Sequence, residues 1–227
     1  MTILVYPFQD LAGASKYRGV MVGWIYRGKA DIFIWPGGPE FDVPSCLASA
    51  AASTIVILGH CTSGSPILRS ETSYLQNRAV ESPGETIRAG ELAVLLRNLG
   101  LNDNNTRTIK CLNCSSGDHF DGFQLEASFA TTLKAALAQP EIGLGNIHVY
   151  GYLGELMLLP DRLTNVPDST GQLVNINNRV LSVFATRRKA FRGREMRFEA
   201  TGDAQADRQS AMALWQRVQG QPGTIPY

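Results

Sequence analysis

The run Thr54-Ile55-Val56-Ile57-Leu58-Gly59 decides how this chain is read. It is continuous and rich in β-branched residues, with no polar alternation, which is the pattern of a strand buried on both faces. Strands of that kind belong to parallel sheets with helices packed on them. His60 follows the run directly.

Downstream, Ser82-Pro83-Gly84-Glu85 combines a Ser cap, Pro at the first helical position and Glu at the third. Ile87, Leu92, Leu95, Leu96 and Leu99 then recur at helical spacing, with Gly100 where a C-terminal glycine stands. The pattern predicts a helix over 83–99. A second strand over 106–113 leads into Cys114, and a second helix over about 125–137 places Leu125, Phe129, Leu133 and Leu137 on one face. Ile147-His148-Val149-Tyr150 reads as a third strand. This alternation predicts an α/β fold with a parallel sheet, and such sheets carry their chemistry at the carboxyl ends of the strands.

Upstream, residues 2–6 form a short apolar run. The runs 19–26 and 30–35, around Arg27-Gly28-Lys29, predict a β-hairpin that Pro36-Gly37-Gly38-Pro39 ends. Residues 44–53 suit a short helix. Towards the C-terminus, 161–178 is polar and turn-rich, 179–199 reads as a hairpin turning near Phe191-Arg192-Gly193, and 206–218 is a helix with Ala211, Leu214, Trp215 and Val218 apolar.

The 227 residues suffice for one sizeable core, so a single domain over 1–227 is expected. With 44% hydrophobic and 18% charged residues and a net charge of +1, the chain has no global attraction to nucleic acid or membrane. Its longest apolar stretches, such as 46–58, fall short of the roughly 20 residues of a membrane span. Four irregularly spaced cysteines, with no cleavable leader, predict reduced thiols in a soluble protein.

Lys110-Cys111-Leu112-Asn113-Cys114 has a spacing that metals, redox dithiols and nucleophilic thiols all use. A zinc knuckle would continue through His119, but Gln124 stands where its closing cysteine would fall. A redox pair opens a helix after a strand, whereas Cys111 falls inside the predicted strand and reads as a small buried residue. A nucleophile needs a base or cation beside it, because an ordinary thiol is mostly protonated at neutral pH. His60 ends one predicted strand as Cys114 ends another. If those strands are parallel neighbours, both side chains emerge at one edge, and the helix between them supplies the crossover. His119 is a weaker alternative base. His148 reads as structural, Glu155 as a pocket or turn residue, and Asp10 and Asp31 as unfavoured orienting acids.

Ile57-Leu58-Gly59-His60 resembles the strand-then-His block of caspase-like (clan CD) cysteine peptidases, and Cys114-Ser115-Ser116-Gly117 is similar to the Cys-x-Ser-Gly of metacaspases and legumains. The roughly 50 positions from His to Cys also match the caspase arrangement. The order of blocks is His60, Arg88 to Ala93, Cys114, Ser128 to Leu137, then Ile147 to Leu156. Over roughly 50–200 it resembles the autoprocessing cysteine protease domain of large bacterial toxins, which inositol hexakisphosphate activates. The resemblance implies a caspase-like, mostly parallel central sheet flanked by helices, with an N-terminal hairpin and a C-terminal hairpin flap. Cys114 would be the nucleophile and His60 its base, in an endopeptidase cutting a protein or peptide substrate. The setting would be a bacterial cytoplasm or, for a delivered toxin or effector, a host cytosol.

Six cations, Arg187, Arg188, Lys189, Arg192, Arg194 and Arg197, lie within eleven positions. By the same resemblance they would line a basic flap for inositol hexakisphosphate; the plainer reading is a solvated hairpin edge guarded by charge. Nucleic acid is not expected, since interleaved aromatics are few. The family pattern places Gly after the His, where this chain has Cys61, a departure that leaves hydrolysis weak, redirected or lost. Two other readings therefore stay open: a Cys-His deamidase or acyl transferase acting on Gln, and a catalytically silent relative that binds a polyphosphate or a protein.

Overall fold

A computed structural model of the chain describes residues 1–9, 28, 30–36, 47, 54–70, 84–104, 108–118, 127–159, 164–167, 173–176, 179–183, 191–192 and 196–219. In chain order the elements are β1 (Thr2–Val5), β2 (Ile32–Ile34), β3 (Thr54–Leu58), β4 (Ile67–Arg69), β5 (Thr86–Arg88), α1 (Ala89–Asn98), β6 (Thr108–Leu112) and α2 (Phe129–Leu137). They continue with β7 (His148–Tyr152), β8 (Glu155–Leu159), β9 (Thr164–Pro167), β10 (Leu173–Ile176), β11 (Arg179–Val183), β12 (Phe191–Arg192), β13 (Arg197–Ala200) and α3 (Ala204–Gln219). The fold is α/β. Its central six-stranded sheet has the order β13-β7-β6-β3-β1-β2, all neighbours parallel except β13 with β7.

In β3, Ile55, Val56, Ile57 and Leu58 are all buried, as an unbroken apolar run requires. β6 alternates instead: Ile109 and Cys111 are fully buried, while Thr108 and Lys110 are partly exposed on the other face. α2 packs against α1 and β7, and the two helices bury Leu92, Leu96, Phe129, Leu133 and Leu137 completely. Each such side chain contributes about 2 kcal/mol on burial, whereas a helix cap contributes about 1 kcal/mol. Packing therefore outweighs capping in fixing these helices.

The first helix differs from its sequence signals. It begins at Ala89, because Thr86-Ile87-Arg88 pairs antiparallel with β4, with Ile87 opposite Leu68. Glu85, read as a capping residue, turns its carboxylate to the Gln9 N–H at 3.0 Å. The real start is marked by Glu91, whose Oε2 accepts the Arg88 N–H at 2.8 Å. Ser82 and Pro83 lie outside the described residues. The C-terminal end is as read: Gly100 has φ 93°, and the N–H groups of Gly100 and Leu101 bond to Arg97 and Leu96 at 2.9 and 3.0 Å. α2 starts at Phe129 under a Ser128 cap that accepts the Thr131 N–H at 3.2 Å. Leu125, assigned to that helix, lies outside the described residues.

The C-terminal hairpin also differs. β11 pairs antiparallel with β12 as Leu181 with Arg192 and Ser182 with Phe191, so Phe191-Arg192 is the returning arm, not the turn. The connection is 184–190. β13 leaves the hairpin for the central sheet, where Arg197 stands opposite Tyr152. At the N-terminus, β2 is a strand of the central sheet parallel to β1. The run 19–26, its expected hairpin partner, lies outside the described residues, as does the segment 44–53 except Leu47, which is buried.

Candidate active site

β3 and β6 are adjacent, parallel and paired as far as Leu58 with Leu112. His60 and Cys114 each stand two residues past that last pair, on one carboxyl edge. Asn113 joins the two strand ends, its Nδ2 donating to the Gly59 carbonyl at 3.0 Å in a buried hydrogen bond. His60 is buried, and its backbone exchanges two 2.8 Å hydrogen bonds with Arg69 of β4.

Cys114 is half-buried against the start of β8. Its Sγ accepts the Leu156 N–H at 3.4 Å and donates to the Leu156 carbonyl at 3.6 Å. The loop that carries it is stitched to the β7–β8 corner. Ser115 holds a left-handed φ of 52°, which costs a non-glycine residue about 1 kcal/mol. Its N–H bonds to the Gly154 carbonyl at 2.7 Å, and Gly117 N–H to Tyr152 at 2.9 Å. The Ser116 hydroxyl donates to the Cys111 carbonyl at 2.8 Å and accepts the Tyr152 N–H at 3.0 Å. Gly151 makes this approach possible, since a Cβ there would fall 2.7 Å from the Gly117 nitrogen and 2.8 Å from the Ala130 Cβ.

Asp118, absent from the sequence reading, closes the loop. Its Oδ2 accepts the Gly154 N–H at 3.0 Å. Burial pushes its carboxyl above the usual range, against the opposing hydrogen bonds of Gly154, Ser115 and Trp215. The other two described thiols are screened. Burial pushes both Cys111 and Cys61 up; Cys111 and Cys114 add to this at Cys61, while Arg69 acts the opposite way on it. Cys114 alone among the described cysteines is not fully buried.

Of the cationic cluster, Arg187, Arg188, Lys189 and Arg194 lie outside the described residues. Arg192 is on β12, and Arg197 is on the central sheet with its guanidinium 4.6 Å above the Tyr150 ring. Arg197 has a neighbour the sequence reading missed. Lys110 pairs with Tyr150, and burial and then the Arg197 charge lower its ammonium below the ordinary lysine range. Burial raises the nearby Tyr152 phenol to about 12, so it stays a donor at neutral pH. The alternation of β6 signals that Lys110 opposes Cys111, but only the pairing of β13 with β7 brings Arg197 beside it.

The remaining candidates fall elsewhere. His119 and Asp10 lie outside the described residues. Asp31 accepts the Thr2 N–H at 2.7 Å, which anchors β1 instead of orienting His60. Exposed His148 pairs with Glu199 at 2.6 Å, and Glu155 opens β8 opposite Val183. Among the described residues no group of three His, Cys, Asp or Glu is placed to hold a metal, and no helix is long and apolar enough to cross a membrane. No protein-family model and no curated protein matches the chain.

Proposed function

We propose that the protein is a cysteine endopeptidase in which Cys114 is the nucleophile and His60 the proton carrier. The observation that carries this reading is the delivery of both residues to one edge by adjacent parallel strands locked through Asn113. His60 takes the thiol proton, and the sulfur attacks a peptide carbonyl. The Leu156 N–H, already directed at the sulfur, favours the thiolate. His60 then protonates the leaving amine, and water hydrolyses the thioester to free Cys114. Among the described residues the N–H groups of His60, Ser115, Ser116, Gly117 and Asp118 are committed to protein carbonyls. The Cys61 N–H, first after His60, would serve as an oxyanion donor.

Activation by inositol hexakisphosphate, and a role as a toxin or effector, belong to the same proposal. Its structural support is the pair Lys110 and Arg197 beside the Tyr152 phenol, to which the cations of 187–194 would add. A second reading, a catalytically silent polyphosphate- or protein-binding relative, is favoured by the Cys114 thiol being satisfied on both sides by Leu156.

Labelling with an electrophilic thiol probe separates the two. The peptidase reading expects Cys114 to react at least tenfold faster than Cys61 and Cys111, faster still with inositol hexakisphosphate, and to lose that gain in His60→Ala. If Cys114 is as slow as the buried thiols with and without the polyphosphate, the silent reading replaces it.

A further inference from the structure

Arg69 and His60 exchange both backbone hydrogen bonds at 2.8 Å. Residues paired in that way stand directly opposite, with side chains on the same face and Cβ atoms about 5 Å apart. Leu68, one position back, points the other way and is fully buried. The two side chains thus start from neighbouring points on one face of the ribbon. By register the same ribbon face carries Ile67, Thr86 and Arg88, and the last two are exposed, so the face is open to solvent there.

This cation has no counter-ion among the described residues. Its Nε is buried without an acceptor, although the side chain as a whole is only half-buried. Among the described residues, Glu85 beside β5 and Glu91 in α1 are committed to backbone donors, Glu85 to Gln9 and Glu91 to Arg88. A guanidinium kept partly out of water without an anion carries a desolvation cost that an arriving carboxylate offsets. Its planar fork suits a carboxylate in particular. The field of Arg69 already reaches Cys61, the residue after His60.

We propose that Arg69 reads a carboxylate on the peptide presented to His60 and Cys114, from an acidic side chain or a free chain end beside the reacting carbonyl. The identity of the ligand as a substrate rests on the peptidase reading; the anion site does not.

The full chain carrying Cys114→Ser, which lacks the thiol, is titrated with N-acetyl-aspartyl amide, N-acetyl-asparaginyl amide and N-acetyl-alanine, with the His60 imidazole followed by NMR. At least one carboxylate is expected to bind about tenfold or more tighter than the asparaginyl amide. Arg69→Gln should erase that difference and Arg69→Lys keep part of it. Which carboxylate binds better identifies the source. Equal affinities for all three, or a preference that survives in Arg69→Gln, overturns the proposal. Peptide electrophiles bearing Asp or Asn beside the reactive group, tested on unsubstituted protein, separate the two readings. If neither modifies Cys114 while Arg69-dependent carboxylate binding persists, the peptidase reading falls and the anion site stands.

Discussion

Asp118 shows how one buried carboxyl ties the Cys114 loop to stability. Its pKa is raised by burial, so the folded chain holds that proton more tightly than the unfolded chain. The resulting stability is present below the ordinary carboxylate range and is lost as pH rises through the raised folded value. Asp118→Asn keeps an acceptor for the Gly154 N–H and carries no charge. The melting temperature of the variant relative to the parent should therefore rise as pH increases above the ordinary carboxylate value of about 4. A difference that stays constant over that range would mean Asp118 is not the titrating group. At this scale the sequence was partly legible. The placement of His60 and Cys114 at one sheet edge was legible because each directly follows a strand pattern. Asp118 and Lys110 could not be found, because what matters about them is a partner distant in the chain, Gly154 and Arg197, and Arg69 could not because its bridge to His60 leaves no mark in the local pattern.

Elements are governed by which backbone can approach which. Gly151 lies where β7, the Cys114 loop and α2 converge, and a methyl group there meets the Gly117 backbone and Ala130 inside contact distance. Gly90, within α1, has nothing within 4 Å of an added Cβ. The same substitution should thus have opposite signs. Gly151→Ala should lose about 1–3 kcal/mol by overpacking, whereas Gly90→Ala should gain about 0.5–1 kcal/mol from helix propensity. Urea unfolding of both variants measures this, and equal losses would refute the packing argument. Local signals read well where no tertiary partner competed, as at the Gly100 terminus of α1. They failed at Thr86-Ile87-Arg88, where pairing with β4 overrode a cap signal six residues too early. They failed again at Arg192-Gly193, because a turn composition was weighed without the register of β11 on β12.

At the scale of the whole molecule, the parallel character of the sheet was legible because β3 is apolar throughout and helix-length crossovers separate β3, β6 and β7, whereas the place of β1 and β2 in it was not. The antiparallel edge did not follow, since 197–200 carries no mark of its destination beside β7. A single carboxylate fixes that edge to the body. Asp207, fully buried on α3, accepts the Thr131 hydroxyl of α2 at 2.8 Å, the Thr201 N–H and hydroxyl at 2.8 and 2.7 Å, and the Gly202 N–H at 3.2 Å. It thereby binds α2, the end of β13 and the C-terminal helix at one point, and β13 in turn places Arg197 over Tyr150. Hydrogen bonds to a charged group are worth about 1.5–3 kcal/mol each and are not additive here, so Asp207→Ala should cost about 3 kcal/mol or more by leaving several donors buried and unpaired. For a chain of this size that lowers Tm by about 10 °C. Asp207→Asn, which keeps one acceptor oxygen, should fall between. Calorimetry of the three proteins checks the order. A loss of only a degree or two in Asp207→Ala would mean that apolar packing of Ala211 and Leu214, not this carboxylate, holds α3 in place.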